Sequence, residues 1–284
     1  MKKIFALMTI CLLILLTGCG GEKKTPADVP GELRLGIIRH LNITETLLDT
    51  YLEKATSRMA QTAEIRKPKH IFFDNMTTMV AALQARQIDE ISTYKVVANY
   101  LLAQTNDFEI ATDRVPKVSD SFCCALREEN SALKEEFDAA IKKLTDDGTL
   151  DKLTKTYIDD ADYTKTPTAV EMPVLDSEQT IKIAVTGDLP PLDYVSADGK
   201  AAGFNTAVLA EISKLVGKNF VLVHIDSGAR AAALTSKQVD VVFWAAVPLN
   251  ETLSPPDCDK PEGVILTVPY FKNEITHVKL KSAE

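Results

Sequence analysis

Basic residues, histidines and paired cysteines are scarce in this chain of 284 residues. Lysine and arginine total 32 against 40 aspartates and glutamates, which gives a net charge of −8. Without a basic tract the chain is a poor candidate for binding nucleic acid, because clustered lysine and arginine are what neutralise phosphates. The four histidines and five cysteines form no CxxC pair and no HExxH motif, which argues against a zinc site. We therefore expect no metal and no cofactor.

Apolar sequence is present in ordinary amounts. Apolar residues make up 45% and charged residues 25%, close to the averages for globular proteins. A sizeable core can therefore form, and the length suits one large domain or two ordinary ones.

The N-terminus has the features of an export signal. Two lysines precede an apolar run, residues 4–16, that is too short to span a bilayer, and a small-residue cleavage site follows. We expect residues 1–18 to be removed as a lipoprotein signal peptide. Residues 19–30 are polar and rich in proline and glycine, and we expect them to form a tether.

Leu16-Thr17-Gly18-Cys19 resembles the lipobox of bacterial lipoproteins. The resemblance implies cleavage before Cys19 and attachment of diacylglycerol to its thiol, with palmitate as an expected acyl chain. An ordinary signal peptide with a chance cysteine is the alternative. The lipoprotein interpretation predicts an extracytoplasmic protein anchored to the cell membrane, or to the outer membrane if the cell has one.

Beyond the tether, segments with the two-residue period of strands alternate with segments that have the period of helices, which favours an α/β fold. Residues 161–180 have neither period, so we expect a linker between a segment of residues 31–160 and one of residues 181–284. The strands expected are 33–38, 70–73, 121–126, 181–185, 220–225, 239–245 and 275–280. The helices expected are 44–59, 76–84, 96–102, 133–144, 150–157, 207–216 and 229–236. One cysteine of the pair Cys123-Cys124 could bond to Cys258, but the spacing does not decide this.

The two segments share a short pattern. In each, an aspartate is followed by an alanine-rich helix ending in leucine and then by Gln-Ile-Asp or Gln-Val-Asp. The aspartates are Asp74 and Asp89 in one segment and Asp226 and Asp240 in the other, 15 and 14 residues apart. A helix that ends in a polar turn before a strand would produce this pattern, so we expect two similar lobes.

Four motifs of the second segment follow one another in order: Ile181-Lys182-Ile183-Ala184-Val185, Pro190-Pro191-Leu192-Asp193-Tyr194, Gly203-Phe204-Asn205 and Pro269-Tyr270-Phe271-Lys272. In this order they resemble the first lobe of periplasmic solute-binding proteins of the type II fold, in the polar amino-acid uptake family (bacterial extracellular solute-binding proteins, family 3). The resemblance implies an α/β fold of two lobes joined by a hinge.

The first segment resembles the later part of the same family. Residues 79–102 are similar to its second lobe, and residues 133–157 are similar to the closing helices that return to the first lobe. The order here is therefore second lobe, closing helices, linker, first lobe. We interpret this order as a circular permutation of one fold. The alternative is two truncated modules, each completed by a partner chain or a domain swap.

The resemblance also implies a ligand between the lobes. The family's amino-acid binders hold the α-carboxylate with a threonine and an arginine, which align here with Leu249 and Thr252. Their acidic partner of the α-ammonium aligns with Tyr94, and their stacking aromatic residue aligns with Leu189. Because a hydroxyl cannot replace a bidentate guanidinium, we do not expect a free α-amino acid to bind in the family's manner.

We expect cleft-facing loops to form the site instead. Arg39 and His40, with the amides of a helix opening at Thr44, could hold an anion. Trp244 could contact ligand or pack in the core, and Arg230, like Arg39, belongs to a residue type that is usually solvated. The candidate ligand-binding residues are Arg39, Thr93, Tyr94, Thr186, Asp188, Leu189, Trp244 and Val247.

These features favour a lipid-anchored binding protein that captures a small molecule and delivers it to an ABC importer. Its expected partners are the small molecule, an ABC permease and the membrane through Cys19. A sensory or scaffold module on the same fold is the alternative, which the altered clamp and the rearranged order favour. An enzyme fits less well, because no paired carboxylates or Ser/His constellation stands out.

Overall fold

The computed structural model of the protein describes residues 32–50, 67–111, 119–248 and 258–282. The expected signal peptide, Cys19 and the tether lie outside the described residues, as do Leu249 and Thr252. Within the described ranges, no helix combines the length and the apolar character that crossing a bilayer requires.

The elements alternate as the sequence pattern predicts. The strands are β1 (Glu32–Ile38), β2 (Lys67–Phe73), β3 (Glu90–Tyr94), β4 (Phe108–Ile110), β5 (Ser119–Arg127), β6 (Thr180–Val185), β7 (Asp188–Leu189), β8 (Asp193–Val195), β9 (Ala201–Ala202), β10 (Asn219–His224), β11 (Val241–Pro248), β12 (Val264–Leu266) and β13 (Phe271–Leu280). The helices are α1 (Met76–Gln84), α2 (Lys95–Gln104), α3 (Ser131–Asp146), α4 (Thr149–Thr154), α5 (Phe204–Val216) and α6 (Arg230–Thr235). Residues 45–50 are also helical, and the rest of the helix expected over 44–59 lies outside the described residues.

The sheet has two halves with the same plan. In the N-terminal lobe the strand order is β2-β1-β3-β13-β4, and in the C-terminal lobe it is β10-β6-β11-β5-β12. The first three strands of each half run parallel, as crossover helices require. The fourth strand of each half, β13 or β5, is antiparallel to its neighbours and comes from a distant part of the chain.

The two halves meet where β5 and β13 lie side by side. Phe271 pairs with Phe122, and Glu274 pairs with Ser119 at the point where the strands pass between the halves. The rest of each strand belongs to one lobe. The fold is therefore α/β with two lobes joined by two crossing strands, and the fold class predicted from the sequence is confirmed.

The repeated sequence pattern corresponds to a loop of the same structure in each lobe. In each lobe the helix is followed by a residue with positive φ and then by the repeated aspartate. Asp89 Oδ2 accepts a hydrogen bond from the backbone N–H of Arg34 at 2.8 Å, and Asp240 Oδ2 accepts one from Lys182 at 3.0 Å. The two aspartates thus tie β3 to β1 and β11 to β6, which is more than the turn-capping role typical of aspartate.

Some expectations need correction. The strands missing from the expected list are β3, β4, β7, β8, β9 and β12. All but the five-residue β3 are three residues long or shorter, too short to show a period. Cys123, Cys124 and Cys258 are buried and none of the three is in a disulfide, so the bond considered for Cys258 does not form.

The described ends of the chain lie close together. Glu90 of β3 pairs with Leu35 of β1 on one side and with Lys279 of β13 on the other. Leu35 and Lys279 are therefore two strand spacings apart, about 10 Å, and the ends Glu32 and Leu280 lie beyond them at the same edge of the sheet. About four residues can bridge that distance.

This geometry predicts that the chain can be reordered. Consider a protein in which residues 167–282 come first, followed by a four-residue Gly/Ser linker and then residues 32–166. It should unfold in one cooperative transition, with a melting temperature within a few degrees of that of the natural order. The new ends fall in the segment expected as a linker, outside regular elements. A matched control carries the same join but opens between Leu209 and Ala210 inside the buried helix α5, and it should not fold. Loss of cooperative melting in the first protein, measured by circular dichroism, would contradict the strand pairing described here.

Candidate functional site

Two of the cavities lined by described residues lie between the lobes. The inner cavity has a volume of about 40 Å³, room for only a few water molecules. The residues lining it are Ile37, Ile38, His40, Ser92, Thr93, Tyr94, Leu189, Trp244 and Ile275. The second, which we call the interlobe groove, has a volume of about 720 Å³. The residues lining it are Met76, Thr77, Val80, Ala81, Gln84, Tyr100, Leu101, Gly187, Asp188, Pro190, Tyr194, Val195 and His224.

Trp244 is held in a conformation that few residues adopt. It lies at a bulge in β11, between Phe243 and Ala245, and its φ of +65° is in the left-handed region. The indole is buried, and its ring lies edge-on to Tyr94 with the centroids 6.1 Å apart. Its Nε1–H has no hydrogen-bond partner among the described residues. Strain of this kind is most common at functional sites.

Arg230 is wholly buried beneath Trp244, which corrects the expectation that it would be solvated. Its guanidinium carbon lies 4.0 Å from the centroid of the indole, in a cation–π contact. Nη1 donates to the carbonyl oxygen of Trp244 at 2.8 Å, and Nη2 donates to that of Arg39 at 3.2 Å. Because Arg39 belongs to the N-terminal lobe, this one side chain bonds the two lobes together.

A buried carboxylate makes the second link between the lobes. Asp259 Oδ1 accepts from the backbone N–H of Asn42 at 2.8 Å, and Oδ2 lies 3.5 Å from His40 Nδ1. Burial opposes a positive charge on His40, but the carboxylate outweighs it, and the His40 pKa is raised. Burial likewise lowers the pKa of Arg230, while Asp259 acts in the opposite sense. The centre of the interface is thus a set of compensating buried charges.

Two further hydrogen bonds cross between the lobes. Asp188 Oδ2 accepts from the backbone N–H of Met76, at the start of α1, at 2.5 Å. Ser227 donates its backbone N–H to the carbonyl oxygen of Asp74 at 2.9 Å. Burial raises the pKa of Asp188 to about 6, and the nearby carboxylates of Asp193 and Asp226 act in the same direction against the Met76 N–H.

Five of the residues expected at the site line these cavities. Thr93, Tyr94, Leu189 and Trp244 come together around the inner cavity, and Asp188 lines the groove. The Tyr94 hydroxyl donates to the buried carboxylate of Asp120, 3.2 Å away, so its ring rather than its polar tip is free to face a cavity.

The other three expected residues line neither cavity. The half-exposed Arg39 donates from Nε to Asp74 Oδ1 at 3.0 Å. Thr186 is buried and donates from N and Oγ1 to Asp193 Oδ2, both at 2.8 Å. Val247 is partly buried in β11. Arg39 faces Asp74 and His40 faces Asp259, so an anion held by this pair would compete with two carboxylates.

Sequence reasoning missed most of the groove. Tyr100 is on α2 and Tyr194 on β8, in opposite lobes, so no sequence pattern brings them together. Tyr194 does belong to one of the motifs that resemble the family, and that position was a reason to consider it as a site residue. Asp259 follows a segment outside the described residues and carried no signal of its own. Among the described residues, no three side chains of His, Cys, Asp or Glu come together as a metal site.

Comparison with known proteins supports the resemblance inferred from the sequence. Residues 181–251 match the profile of bacterial extracellular solute-binding proteins, family 3. This stretch covers the parallel strands of the C-terminal lobe, the loop with Asp188, and both Arg230 and Trp244. The resemblance of this lobe to the family is thus confirmed. No curated protein matches the chain.

Several solved structures of binding proteins are similar to this chain. The GluR0 ligand-binding core with L-glutamate is 10% identical, at a TM-score of 0.39, over 89% of this chain and 86% of that one. The periplasmic aliphatic sulphonate-binding protein SsuA from Escherichia coli is 14% identical, at a TM-score of 0.40, over 88% of this chain and 65% of that one. Tv2483 bound to L-arginine is 13% identical, at a TM-score of 0.41, over 89% and 79%. The chain thus spans less than two thirds of the SsuA structure.

Removing the buried cation should be costly. Arg230→Met keeps an apolar stem but deletes the guanidinium, so the buried Asp259 carboxylate loses a counter-charge and three carbonyls lose a donor. We expect the free energy of unfolding in urea to fall by about 3–5 kcal/mol. Lys152→Met on the exposed face of α4 is the matched control and should change it by less than about 0.5 kcal/mol. A loss below about 1 kcal/mol for Arg230→Met would mean that Arg230 does not join the lobes as described.

Proposed function

We propose that this protein is an extracytoplasmic solute-binding protein that captures a small organic molecule in the interlobe groove. The observation that carries the proposal is the groove itself, with walls contributed by α1 and α2 of one lobe and by the β6–β8 region of the other. Its volume of about 720 Å³ is in the range of small-molecule sites, roughly 300–1,000 Å³. The family match of residues 181–251 supports the same function.

The partners follow from this assignment. A binding protein of this family resemblance would deliver its ligand to an ABC permease, and a lipid at Cys19 would keep it at the membrane. The tether of residues 19–30 would give the folded lobes reach from the surface. On this proposal the protein binds and releases its ligand unchanged and is not an enzyme.

The circular permutation is the second part of the proposal. In support, each half of the sheet has the same plan, with one antiparallel strand supplied by the other half of the sequence. Leu35 of β1 and Lys279 of β13 flank the same residue, Glu90. A short loop there would restore the family's usual order. Two modules completed by partner chains would instead give a dimer in solution.

One observation favours the alternative of a sensory or scaffold module. The lobes are bonded directly to each other by Arg230, Asp259, Asp188 and Ser227. A transport protein gains from lobes that separate readily, because release to a permease requires opening. A scaffold module that keeps its lobes in one fixed arrangement has no such need.

A ligand screen tests the proposed function. We expect one chemical class to raise the melting temperature of residues 21–284 by several degrees, since a ligand at 100 times its Kd adds about 2.7 kcal/mol. The screen should include amino acids, peptides, purines, organic acids and aromatic metabolites. Free α-amino acids should have little effect, because Leu249 and Thr252 replace the clamp. Stabilisation by ordinary amino acids would show that the alignment of the clamp is wrong, and stabilisation by no class would count against ligand capture.

The lipid anchor has its own test. In a bacterial host, Cys19→Ser should abolish labelling by radioactive palmitate and release the protein from the detergent phase in Triton X-114 partitioning. Cys258→Ser, which removes a buried thiol far from the N-terminus, is the control and should leave labelling intact. Unchanged labelling of the Cys19→Ser protein would rule out lipidation at this residue.

A further inference from the structure

The groove is the only one of the two described cavities that has room for an organic molecule. The inner cavity, at about 40 Å³, holds a few waters at most. Residues of both lobes line the groove, so a molecule bound in it contacts both lobes. The chemistry of its lining therefore selects the class of ligand.

The walls of the groove are apolar and aromatic. Met76, Val80 and Leu101 line the side of the N-terminal lobe, and Pro190 and Val195 line the opposite side. Two phenol rings, Tyr100 and Tyr194, face the groove from opposite lobes. Burial raises the pKa of the Tyr100 phenol, and Tyr194 acts in the same direction. A flat aromatic body fits between such walls, and a cation is attracted to their faces.

The charge of the groove has one sign. Its lining residues include one carboxylate, Asp188, and no lysine or arginine. The carboxylates of Asp193 and Asp226 lie close enough to Asp188 to disfavour its negative charge, and His224 acts in the opposite sense. Asp188 Oδ2 accepts from Met76, whereas Oδ1 accepts no hydrogen bond from any residue that the structure describes. Apart from His224 and the backbone N–H groups at the start of α1, an anionic ligand would meet like charge here.

We propose that the interlobe groove binds a primary amine carried on an aromatic body, with the ammonium paired to Asp188 and the ring between Tyr100 and Tyr194. The inference rests on the proposed solute-binding function and names its ligand class. The ammonium supplies the donor that Oδ1 lacks and the positive charge that the surrounding carboxylates favour. At neutral pH the half-buried carboxylate is ionised but poorly solvated, since burial raises its pKa to about 6, and the ammonium offsets that cost.

Three probes of nearly equal shape separate charge from size. They are 2-phenylethylamine, 2-phenylethanol and 3-phenylpropanoate, titrated into residues 21–284 by calorimetry at pH 7.5. The amine should bind at least about tenfold more tightly than the alcohol, because a hydrogen bond to a charged group adds more than a neutral one. The carboxylate should bind more weakly than the alcohol.

Variants test whether Asp188 is the source of the preference for the amine and whether the probes bind in the groove. Asp188→Asn keeps an acceptor for the Met76 N–H but removes the charge. The affinity for the amine should therefore fall to that for the alcohol, while the affinity for the alcohol should not change. Asp198→Asn, an exposed carboxylate in the turn after β8, is the matched control and should change nothing. Val80→Trp fills the groove from α1 and should abolish binding of all three probes.

The outcomes distinguish this inference from the proposed function. If the carboxylate binds as tightly as the amine, or if Asp188→Asn leaves amine affinity unchanged, the amine assignment is overturned while solute binding stands. The same holds if no probe binds but a compound of the broader screen does. If neither the probes nor any screened compound binds, both the inference and the proposed function fail.

Discussion

The structure depends on one buried guanidinium. Arg230 is surrounded by protein on every side, and its donors are taken up by backbone carbonyls of both lobes. A buried cation is tolerated only when hydrogen bonds and counter-charges replace its hydration, and Asp259 and the face of Trp244 supply them. The positive φ of Trp244 follows from this need, because the bulge brings both its carbonyl and its ring onto the same side chain.

The two crossing strands explain why the fold can form with the segments in this order. β5 completes the sheet of the C-terminal lobe, and β13 completes that of the N-terminal lobe, so each half of the sequence supplies a strand to the other. Neither half can satisfy its backbone hydrogen bonds alone. The fold therefore constrains which segments must pair rather than the order in which the chain visits them, which is what a permutation requires.

The sequence predicted the lobes well and the site only in part. Long strands and amphipathic helices carry their period in the sequence, and the repeated aspartates at Asp89 and Asp240 marked equivalent loops. The inner cavity was partly anticipated, because Thr93 and Tyr94 end β3, Leu189 ends β7 and Trp244 lies near the end of the strand expected over 239–245. Arg230 was misjudged because nothing local distinguishes a buried arginine from a solvated one. The groove was missed because its walls come from elements about a hundred residues apart.

Direct bonding between the lobes is the central claim of this account. The measurement that tests it most directly is the distance between spin labels at Ala103→Cys on α2 and Lys214→Cys on α5, both on exposed faces of opposite lobes. The three thiols of the described residues, Cys123, Cys124 and Cys258, are buried. Burial raises the pKa of Cys123 to about 12, which suppresses its reaction with the label. Pulsed electron resonance should give one narrow distance distribution that Arg230→Met broadens. A broad distribution in the starting protein, or one that Arg230→Met leaves unchanged, would contradict the claim.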